Sequence, residues 1–435
     1  MREKEEIRGG IAKLIKEFFD RGGEEFVPGE TLIRYAGSVH DDKEINSMVE
    51  SLLDGWWGLG KKARMFEQKL TEYIGAKKTF LTNSGSSASL LTVAALKSPL
   101  FSDRIENGAE VITPACTFPT TLNPIIQLNL VPVFLDVELG SYNINPDDLE
   151  RALSSKTRLI FIPHTLGNPN DMEAIMAFAK DHHLFVVEDN CDALGSEFKG
   201  RKTGSFGVAS TLSFYPAHHI TTGEGGAVVL NDERLEGAVR SLRDWGRACY
   251  CDSDQESSLG ACGRRFDFKV NGVPYDHRYM YAEIGYNLKP IEVQAAMGIE
   301  QLKKFPEFRK RRKKNFAALL EFLTNYERFV ILPRSHPKAD PCWFSFPLTV
   351  REDAPFPKEE IIRFLEERKI QTRPIFAGNI LRHKPYQNIN CRIIGNLRNS
   401  DYILRNSFFV GVYPGIEDEK LSYMLSVFSD FFSRF

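Results

Sequence analysis

Between residues 77 and 232, short apolar segments alternate with helical segments, and this pattern limits the possible folds most strongly. The apolar segments have the length of buried strands and lie at residues 78–82, 110–114, 131–137, 158–164, 184–190, 210–216 and 226–232. Helical stretches such as SSASLLTVAALK lie between the earlier ones. The alternation is typical of βαβ units and predicts an α/β fold with a mostly parallel sheet. The last two strands depart from this alternation, because the short Gly-rich segment TTGEGG joins them instead of a helix.

After residue 300 the sequence changes character. A basic stretch, KKFPEFRKRRKKNFAALLEFL, is followed by the strand-like WFSFPLTV, by PKEEIIRFLEERK and by a C-terminal helical segment. We therefore predict an N-terminal arm and large domain over residues 1–300 and a smaller α+β domain over residues 301–435. The basic stretch is compatible with nucleic-acid binding, but one charged face of a helix is more often solvated.

The overall charge is nearly balanced, with 56 Lys and Arg against 58 Asp and Glu, a net charge of -2. Such a balance provides no global field for nucleic acid or for an anionic membrane. No stretch approaches the roughly 18 apolar residues of a membrane span, and the charged N-terminus does not resemble a signal peptide. Seven cysteines are an odd number for a disulfide framework. We expect a cytoplasmic protein and, from its size, an enzyme.

Polar residues follow several of the predicted strands. Ligands of open parallel sheets bind at the carboxyl ends of the strands. That edge would hold residues 83–87, 116–118, 164, 189–192 and 213–219. NSGSSAS (83–89) can cradle a phosphate with free backbone N–H groups, or it can be a tight turn with a serine cap. Asp189 and Asp192 can meet a protonated heterocycle, or they can cap a helix.

The segment SFYPAHHITTGEGGAVV (213–229) resembles the signature S-F-x-P-x-K-N-x-T-T-G-E-G-G of the DegT/DnrJ/EryC1/StrS family of nucleotide-sugar aminotransferases. Similar matches occur at GWWGLGKKARMFEQKL, TPACTFPTTLNPI, HTLGNPNDM, VVEDNCDALGS and GYNLKPIEVQAAMG, so the resemblance covers nearly the whole chain. It implies a type I aminotransferase-like fold for the large domain and a homodimer.

The resemblance also implies a set of residues that bind pyridoxal or pyridoxamine phosphate. By this resemblance, Gly85, Ser86 and Ser213 contact the cofactor phosphate, and Phe118 stacks on the cofactor ring. Asp189 pairs with the pyridine nitrogen, and Asp192 lies near the phenolic oxygen. Asn287 contacts the phosphate of the cofactor in the other subunit.

His218 stands where the family has its Schiff-base lysine, and no Lys occurs from residue 203 to residue 268. Imidazole has no primary amine, but it is a good acid or base near its ordinary pKa of roughly 6.5. We therefore expect non-covalent pyridoxamine phosphate (PMP) with His218 as the catalytic base. His219 is a candidate substrate contact or a structural residue. The alternative to a catalytic His218 is that the protein is a degenerate, inactive paralogue.

Four cysteines form a candidate metal set: Cys191, Cys249, Cys251 and Cys262. Four thiolates suit an iron–sulfur cluster or zinc. Together with His218, their spacing resembles C-x57-C-x-C-x7-C of the family's CDP-4-keto-6-deoxyhexose 3-dehydrases. That resemblance implies a [2Fe–2S] cluster near residues 249–262 and a flavin/iron–sulfur reductase as partner. The third spacing is ten residues here, so Cys262 is the least secure ligand.

The function implied by this branch is removal of the C3 hydroxyl from a CDP-linked 4-keto-6-deoxyhexose in 3,6-dideoxysugar and O-antigen biosynthesis. TRPIFAGNILRHKPY (372–386) also resembles the branch and makes Arg373 a candidate substrate contact, with a structural salt bridge as the alternative. Three alternatives stay open: a cluster-free dehydratase, a TDP-sugar dehydratase and a non-enzymatic cofactor- or sugar-binding regulator.

Overall fold

The computed structural model describes residues 2–23, 25–249 and 265–435. Of the predicted cluster ligands, Cys251 and Cys262 lie outside these residues. The helices, in chain order, are α1 (Arg2–Asp20), α2 (Asp42–Leu53), α3 (Lys61–Ile74), α4 (Gly85–Lys97), α5 (Pro119–Gln127), α6 (Leu149–Ala152), α7 (Met172–Asp181), α8 (Glu236–Arg243), α9 (Glu292–Leu323), α10 (Lys358–Glu367), α11 (Arg398–Asn406) and α12 (Asp418–Phe432).

The strands are short, as expected for an α/β protein. They are β1 (Lys78–Thr82), β2 (Glu110–Pro114), β3 (Val131–Leu135), β4 (Thr157–Pro163), β5 (Phe185–Asp189), β6 (Glu197–Phe198), β7 (Arg201–Lys202), β8 (Ala209–Ser213), β9 (Gly226–Leu230), β10 (Phe268–Val270), β11 (Val273–Tyr275), β12 (Val330–Ile331), β13 (Ala339–Asp340), β14 (Ser345–Val350), β15 (Thr372–Pro374), β16 (Arg392–Ile393) and β17 (Ser407–Gly411).

The large sheet has the order β1-β9-β8-β5-β4-β2-β3-β16. It contains all seven strands predicted from the sequence, so the expected α/β class is confirmed. The strands from β16 to β8 run parallel, whereas β9 is antiparallel to both of its neighbours. Strand β2 is buried along its whole length, because helices cover both faces of a parallel sheet. The Gly-rich connection thus reverses the chain between β8 and β9.

A second sheet, β12-β14-β17-β15, is antiparallel and packs with the C-terminal helices. The predicted smaller α+β unit is therefore present. Helix α9 runs without a break across residue 300, and β16 returns to the large sheet beside β3. The boundary at residue 300 stays a prediction. The N-terminal segment also reaches the second sheet, where Ile33 forms a parallel bridge with Ile370.

The basic stretch of α9 is bound to acidic side chains of the same chain. Its ion pairs are Lys304 with Asp41 and Glu44, Arg309 and Lys313 with Asp340, and Arg311 and Lys314 with Asp418. These contacts fasten the helix to α2, β13 and α12, which favours the structural interpretation of the charge run. Within the described ranges, no helix is both long and apolar enough to span a membrane.

Candidate active site

A cavity of about 480 Å³ opens at the carboxyl ends of the parallel strands. Nine of the residues that the sequence predicts to act at the site line it: Gly85, Ser86, Phe118, Asp189, Cys191, Asp192, Ser213, His218 and Arg373. The parallel topology explains the convergence, because β1, β2, β5 and β8 all end at this edge. The second sheet closes the opposite side.

One end of the cavity is built for close backbone approach. Ser84 caps α4 by accepting a hydrogen bond from the Ser87 N–H at 3.1 Å, and the helix begins at Gly85. A Cβ atom on Gly85 would lie 2.5 Å from the Ser213 Cβ, so only glycine fits there. The N-terminus of a helix with free N–H groups attracts phosphate. Gly85, Ser86 and Ser213 therefore fit the phosphate of the expected cofactor.

Asp189 ends β5 and lies buried at the bottom of the cavity. The Thr121 hydroxyl donates to its Oδ2 at 2.6 Å, and the Cys191 N–H donates to its Oδ1 at 3.2 Å. These donors stabilise a carboxylate in a place where an isolated charge would be costly. Asp189 thus fits a ligand that presents a protonated ring nitrogen.

Two buried hydroxyl groups on the cavity wall have no hydrogen-bond partner among the described residues, those of Thr117 and Thr165. Buried polar groups in folded proteins are nearly always satisfied. Phe118, beside Thr117, remains half exposed at the cavity, where a flat ligand can stack on its ring. The cavity therefore has both the polar and the aromatic surface that a pyridoxamine ring needs.

His218 faces the cavity beside Asp192. Its Nδ1 lies 3.3 Å from the Asp192 Oδ1, which is an ion-pair distance without the alignment of a hydrogen bond. Both side chains are largely buried, with 16% and 15% of their surface exposed. No lysine lines the cavity in the part of the chain that the structure describes. His218 is therefore the basic side chain best placed to exchange a proton with a ligand.

A buried cation lies behind His218. The guanidinium of Arg312 donates to the carbonyl groups of Phe344 at 2.9 Å and His218 at 3.3 Å. Burial lowers the pKa of Arg312 to about 10. Because α9 supplies this side chain, the helix fixes the main chain of the His218 turn.

His219 points away from the cavity and is buried. Its Nε2–H donates to the Cys342 carbonyl at 2.8 Å. Burial, and then the charge of Arg312, hold the pKa of His219 well below its ordinary 6.5. The structure thus places it as a neutral packing residue behind His218, and the substrate contact expected from the sequence has no support in this position.

Arg373, on β15, presents its guanidinium to the cavity. It lies 4.6 Å from the centre of the Tyr35 ring and donates to the Thr372 carbonyl at 2.7 Å. No carboxylate within the described ranges forms an ion pair with it, so the salt-bridge alternative is not realised there. Tyr35 was not anticipated from the sequence. It reaches the site because the N-terminal segment adds to the second sheet.

A buried His–Glu pair supports the floor of the site. His164 Nε2 lies 3.0 Å from the Glu188 Oε2. Glu188 also accepts the N–H groups of Gly204, Phe206 and Gly207 at 2.7–2.9 Å. The sequence signal that could have identified Glu188 is its position next to Asp189 in a buried strand, because a buried carboxylate needs such hydrogen-bond donors.

Two other predicted residues that the structure describes, Asn287 and Cys249, lie outside the cavity, whereas Cys191 lines it. Asn287 is exposed and forms an antiparallel β-bridge with Asp244. Cys249 lies at the end of the described segment that precedes the cysteine-rich loop. Cys191 lies next to Asp189, and burial followed by that carboxylate raises the pKa of its thiol well above the ordinary value. The described residues contain no group of three metal-binding side chains.

Comparisons with known proteins agree with this geometry. A sequence profile of the DegT/DnrJ/EryC1/StrS aminotransferase family matches residues 39–429. The lipopolysaccharide biosynthesis protein RfbH of Salmonella typhimurium is 42% identical over 431 residues, 98% of this chain and 98% of that protein. The dTDP-4-dehydro-2,6-dideoxy-D-glucose 3-dehydratase of Saccharopolyspora spinosa is 44% identical over 412 residues, 94% of this chain and 88% of that protein.

The structural comparison gives the same result. The E. coli GDP-4-keto-6-deoxy-D-mannose-3-dehydratase with bound hydrated PLP matches with a TM-score of 0.80 and 27% identity, over 92% of this chain and all of that one (100%). The predicted type I aminotransferase fold is thereby confirmed. With the profile covering most of its length, the chain belongs to the DegT/DnrJ/EryC1/StrS aminotransferase family.

Proposed function

We propose that this protein is a PMP-dependent 3-dehydratase of a nucleotide-linked 4-keto-6-deoxyhexose. The observation that carries the proposal is His218, which faces a cofactor-shaped cavity beside Asp192 and has no lysine next to it among the described residues. The relatives support it, because 3-dehydratases of dTDP and GDP sugars are among them. The similarity to RfbH supports a role in lipopolysaccharide or deoxysugar biosynthesis.

The cofactor would be held without a covalent bond. Gly85, Ser86 and Ser213 would bind its phosphate, Phe118 would stack on its ring, and Asp189 would meet its protonated ring nitrogen. Bound PMP supplies a primary amine that condenses with a ketone and a ring system that accepts electrons. Asp192 would lie near its phenolic oxygen.

His218 would act as the acid and base of the reaction. Asp192 lies on its Nδ1 side, which favours the tautomer with the proton on Nδ1 and leaves Nε2 free to accept a proton. Nε2 would take the proton from the methylene carbon next to the amine. The same imidazolium would then protonate the C3 hydroxyl, which leaves as water. Arg312 would hold the turn in register through the His218 carbonyl.

The substrate would enter from the side of the second sheet. Arg373 presents a cation without a carboxylate partner in the described part of the chain, and an unpaired cation at a cavity favours an anionic ligand. A nucleotide diphosphate provides that anion. We propose CDP as the nucleotide, on the resemblance of residues 372–386 and of the cysteine spacing to the CDP-sugar branch.

The complete deoxygenation needs electrons. Replacing C3–OH by C3–H consumes two electrons and two protons and releases one water. We propose a [2Fe–2S] cluster on Cys191, Cys249, Cys251 and Cys262 that passes these electrons singly from a flavin/iron–sulfur reductase. The first two cysteine intervals match the branch's pattern and support this assignment, and the third is three residues longer than in that pattern.

We propose a homodimer. Several large apolar side chains are exposed on the described surface, including Trp57, Tyr281 and Ile284, the last with 97% of its surface accessible. The Leu288 carbonyl accepts the Asn83 N–H at 2.8 Å, so this segment runs beside the cavity edge. Exposed apolar patches mark interaction surfaces, and a second subunit there would bring Asn287 close to a neighbouring site.

The test is an anaerobic assay with PMP, a generic flavin/iron–sulfur reductase and CDP-, dTDP- and GDP-linked 4-keto-6-deoxyhexoses, with products followed by mass. Loss of the C3 oxygen only with PMP and reductase present supports the proposal. Turnover with glutamate and without a reductase would instead identify a cluster-free dehydratase. EPR and metal analysis test the cluster directly, and stoichiometric zinc without an EPR signal would remove the redox step.

A further inference from the structure

The N-terminal segment that precedes α2 contributes one ring to the cavity, that of Tyr35. This half-buried side chain lines the cavity on the side of the second sheet, together with Arg373. Main-chain contacts hold the segment there, because Ile33 bridges to Ile370 and the Gln371 side chain accepts the Tyr35 N–H at 3.3 Å. The second sheet therefore sets the position of this ring.

Close packing also fixes the orientation of the Tyr35 ring. A Cβ atom on Gly411, at the end of β17, would lie 2.5 Å from the Tyr35 carbonyl oxygen, so the segment approaches the sheet more closely than a side chain there would allow. The ring meets the buried Phe409 edge to face, with 5.8 Å between the ring centres. The aromatic face of Tyr35 is thus held in one place before any ligand binds.

Arg373, in contrast, has few contacts that orient it. Its guanidinium lies 4.6 Å from the centre of the Tyr35 ring, and it donates to the carbonyl of the preceding Thr372 at 2.7 Å. Across residues 2–23, 25–249 and 265–435, no carboxylate pairs with it. An arginine side chain has many rotamers, and ordering them on binding weakens affinity. The Tyr35 ring attracts the guanidinium and so reduces this cost before a ligand arrives.

We propose that Tyr35 is a positioning residue for the nucleotide sugar, because it holds the Arg373 guanidinium in the orientation that meets the diphosphate. This inference rests on the proposed function, in which Arg373 contacts the anionic part of the substrate, and it adds a residue that acts through Arg373. A guanidinium binds phosphate through two parallel hydrogen bonds, so its plane needs a defined direction. The N-terminal segment thereby becomes part of the substrate site.

The test is a double-mutant cycle on nucleotide binding. CDP, dTDP and GDP, which carry no sugar and cannot react, are titrated into the PMP-loaded protein by isothermal titration calorimetry. The four proteins are wild type, Tyr35→Leu, Arg373→Met and the double variant. Leucine can still pack on Phe409 but has no aromatic face. Tyr35→Leu should raise the Kd of a nucleotide that binds wild type by about 3- to 10-fold, and by less than about twofold in the Arg373→Met background.

Further variants separate the ring from its hydroxyl group and from general packing. Tyr35→Phe keeps the aromatic face and should stay within about twofold of the wild-type Kd. Phe364→Leu is the matched control, because the guanidinium of Arg368 lies 3.5 Å from the centre of that ring, outside the cavity. It should leave the Kd for nucleotides unchanged. Tyr35→Met also lacks an aromatic face and gives the same cycle where Tyr35→Leu is unstable.

An equal loss of affinity from Tyr35→Leu with and without Arg373 would show that Tyr35 acts independently, and it would overturn the inference while leaving the proposed function standing. An unchanged Kd in Tyr35→Leu would have the same meaning. If Arg373→Met binds nucleotides as tightly as wild type, or if no nucleotide binds wild type, the proposed substrate role of Arg373 fails, and the inference fails with it.

Discussion

Replacing Asp189 with asparagine tests the cofactor assignment most sharply. The carboxylate is buried, and the Thr121 hydroxyl and the Cys191 N–H both donate to it. Asparagine has nearly the same shape but no charge. Its NH₂ group would face either one of these donors or the protonated ring nitrogen, so one favourable contact becomes unfavourable.

The size of the effect follows from the charge of the lost contact. A hydrogen bond to a charged group contributes about 1.5–3 kcal/mol to binding, and a neutral one about half as much. The lost half of that contact, together with a cost of about 1–3 kcal/mol for one unsatisfied buried donor, gives a net loss of about 2–4 kcal/mol. We therefore expect PMP to bind roughly 30- to 900-fold more weakly to Asp189→Asn.

The assay is a titration of the cofactor-free protein with PMP, followed by calorimetry. Asp430→Asn is the matched control, because that carboxylate is exposed on α12, away from the cavity. The control should bind PMP within about fivefold of wild type, a change of 1 kcal/mol or less. A folded Asp189→Asn protein with unchanged PMP affinity would refute the assigned role of this residue.

Three further predictions concern other groups. Arg373→Met should raise the Kd for a nucleotide sugar by roughly 10-fold or more, with PMP binding retained; calorimetry showing equal Kd values would contradict the substrate role. Glu188→Gln should lower the free energy of unfolding in urea by about 1–3 kcal/mol, because its amide cannot accept from every N–H that it faces; unchanged stability would refute this. The depressed pKa of His219 means that the unfolded chain takes up its proton first, so stability should fall as the pH drops below 6.5. His219→Gln should flatten that dependence, and an equally steep curve would show that another group causes it.

The sheet and its functional edge could be predicted because local sequence determines them. Strands such as β2 are apolar throughout, and buried parallel strands require that composition. Once the strands are in order, the chain direction alone places Ser86, Asp189 and His218 at one edge. The position of the cofactor site therefore followed from the residues that end each strand.

The other side of the cavity could not be predicted from local patterns. Tyr35 and Phe409 come together through contacts between distant segments, with Ile33 bridging to Ile370 far along the chain. The apolar segments that carry these rings look like ordinary core. Only the assembled second sheet reveals that some of the rings line the cavity.

The pair of adjacent histidines illustrates a finer limit. His218 and His219 are neighbours in sequence, yet one faces the cavity and the other is buried against the Cys342 carbonyl. The conformation of the turn determines which of the two histidines faces the cavity. Arg312 of α9 fixes that turn through its hydrogen bond to the His218 carbonyl. The family resemblance singled out His218, whereas the sequence contained no signal for the orientation of His219.

The most direct test of the central claim is deuterium exchange at the methylene carbon of bound PMP. The PMP-loaded protein is incubated in D₂O with a nucleotide-linked 4-keto-6-deoxyhexose, and the recovered cofactor is analysed by mass. We predict substrate-dependent exchange in the wild type and exchange at least about 100-fold slower in His218→Asn, with PMP affinity retained. Equal exchange rates in the two proteins would contradict the assignment of His218 as the base.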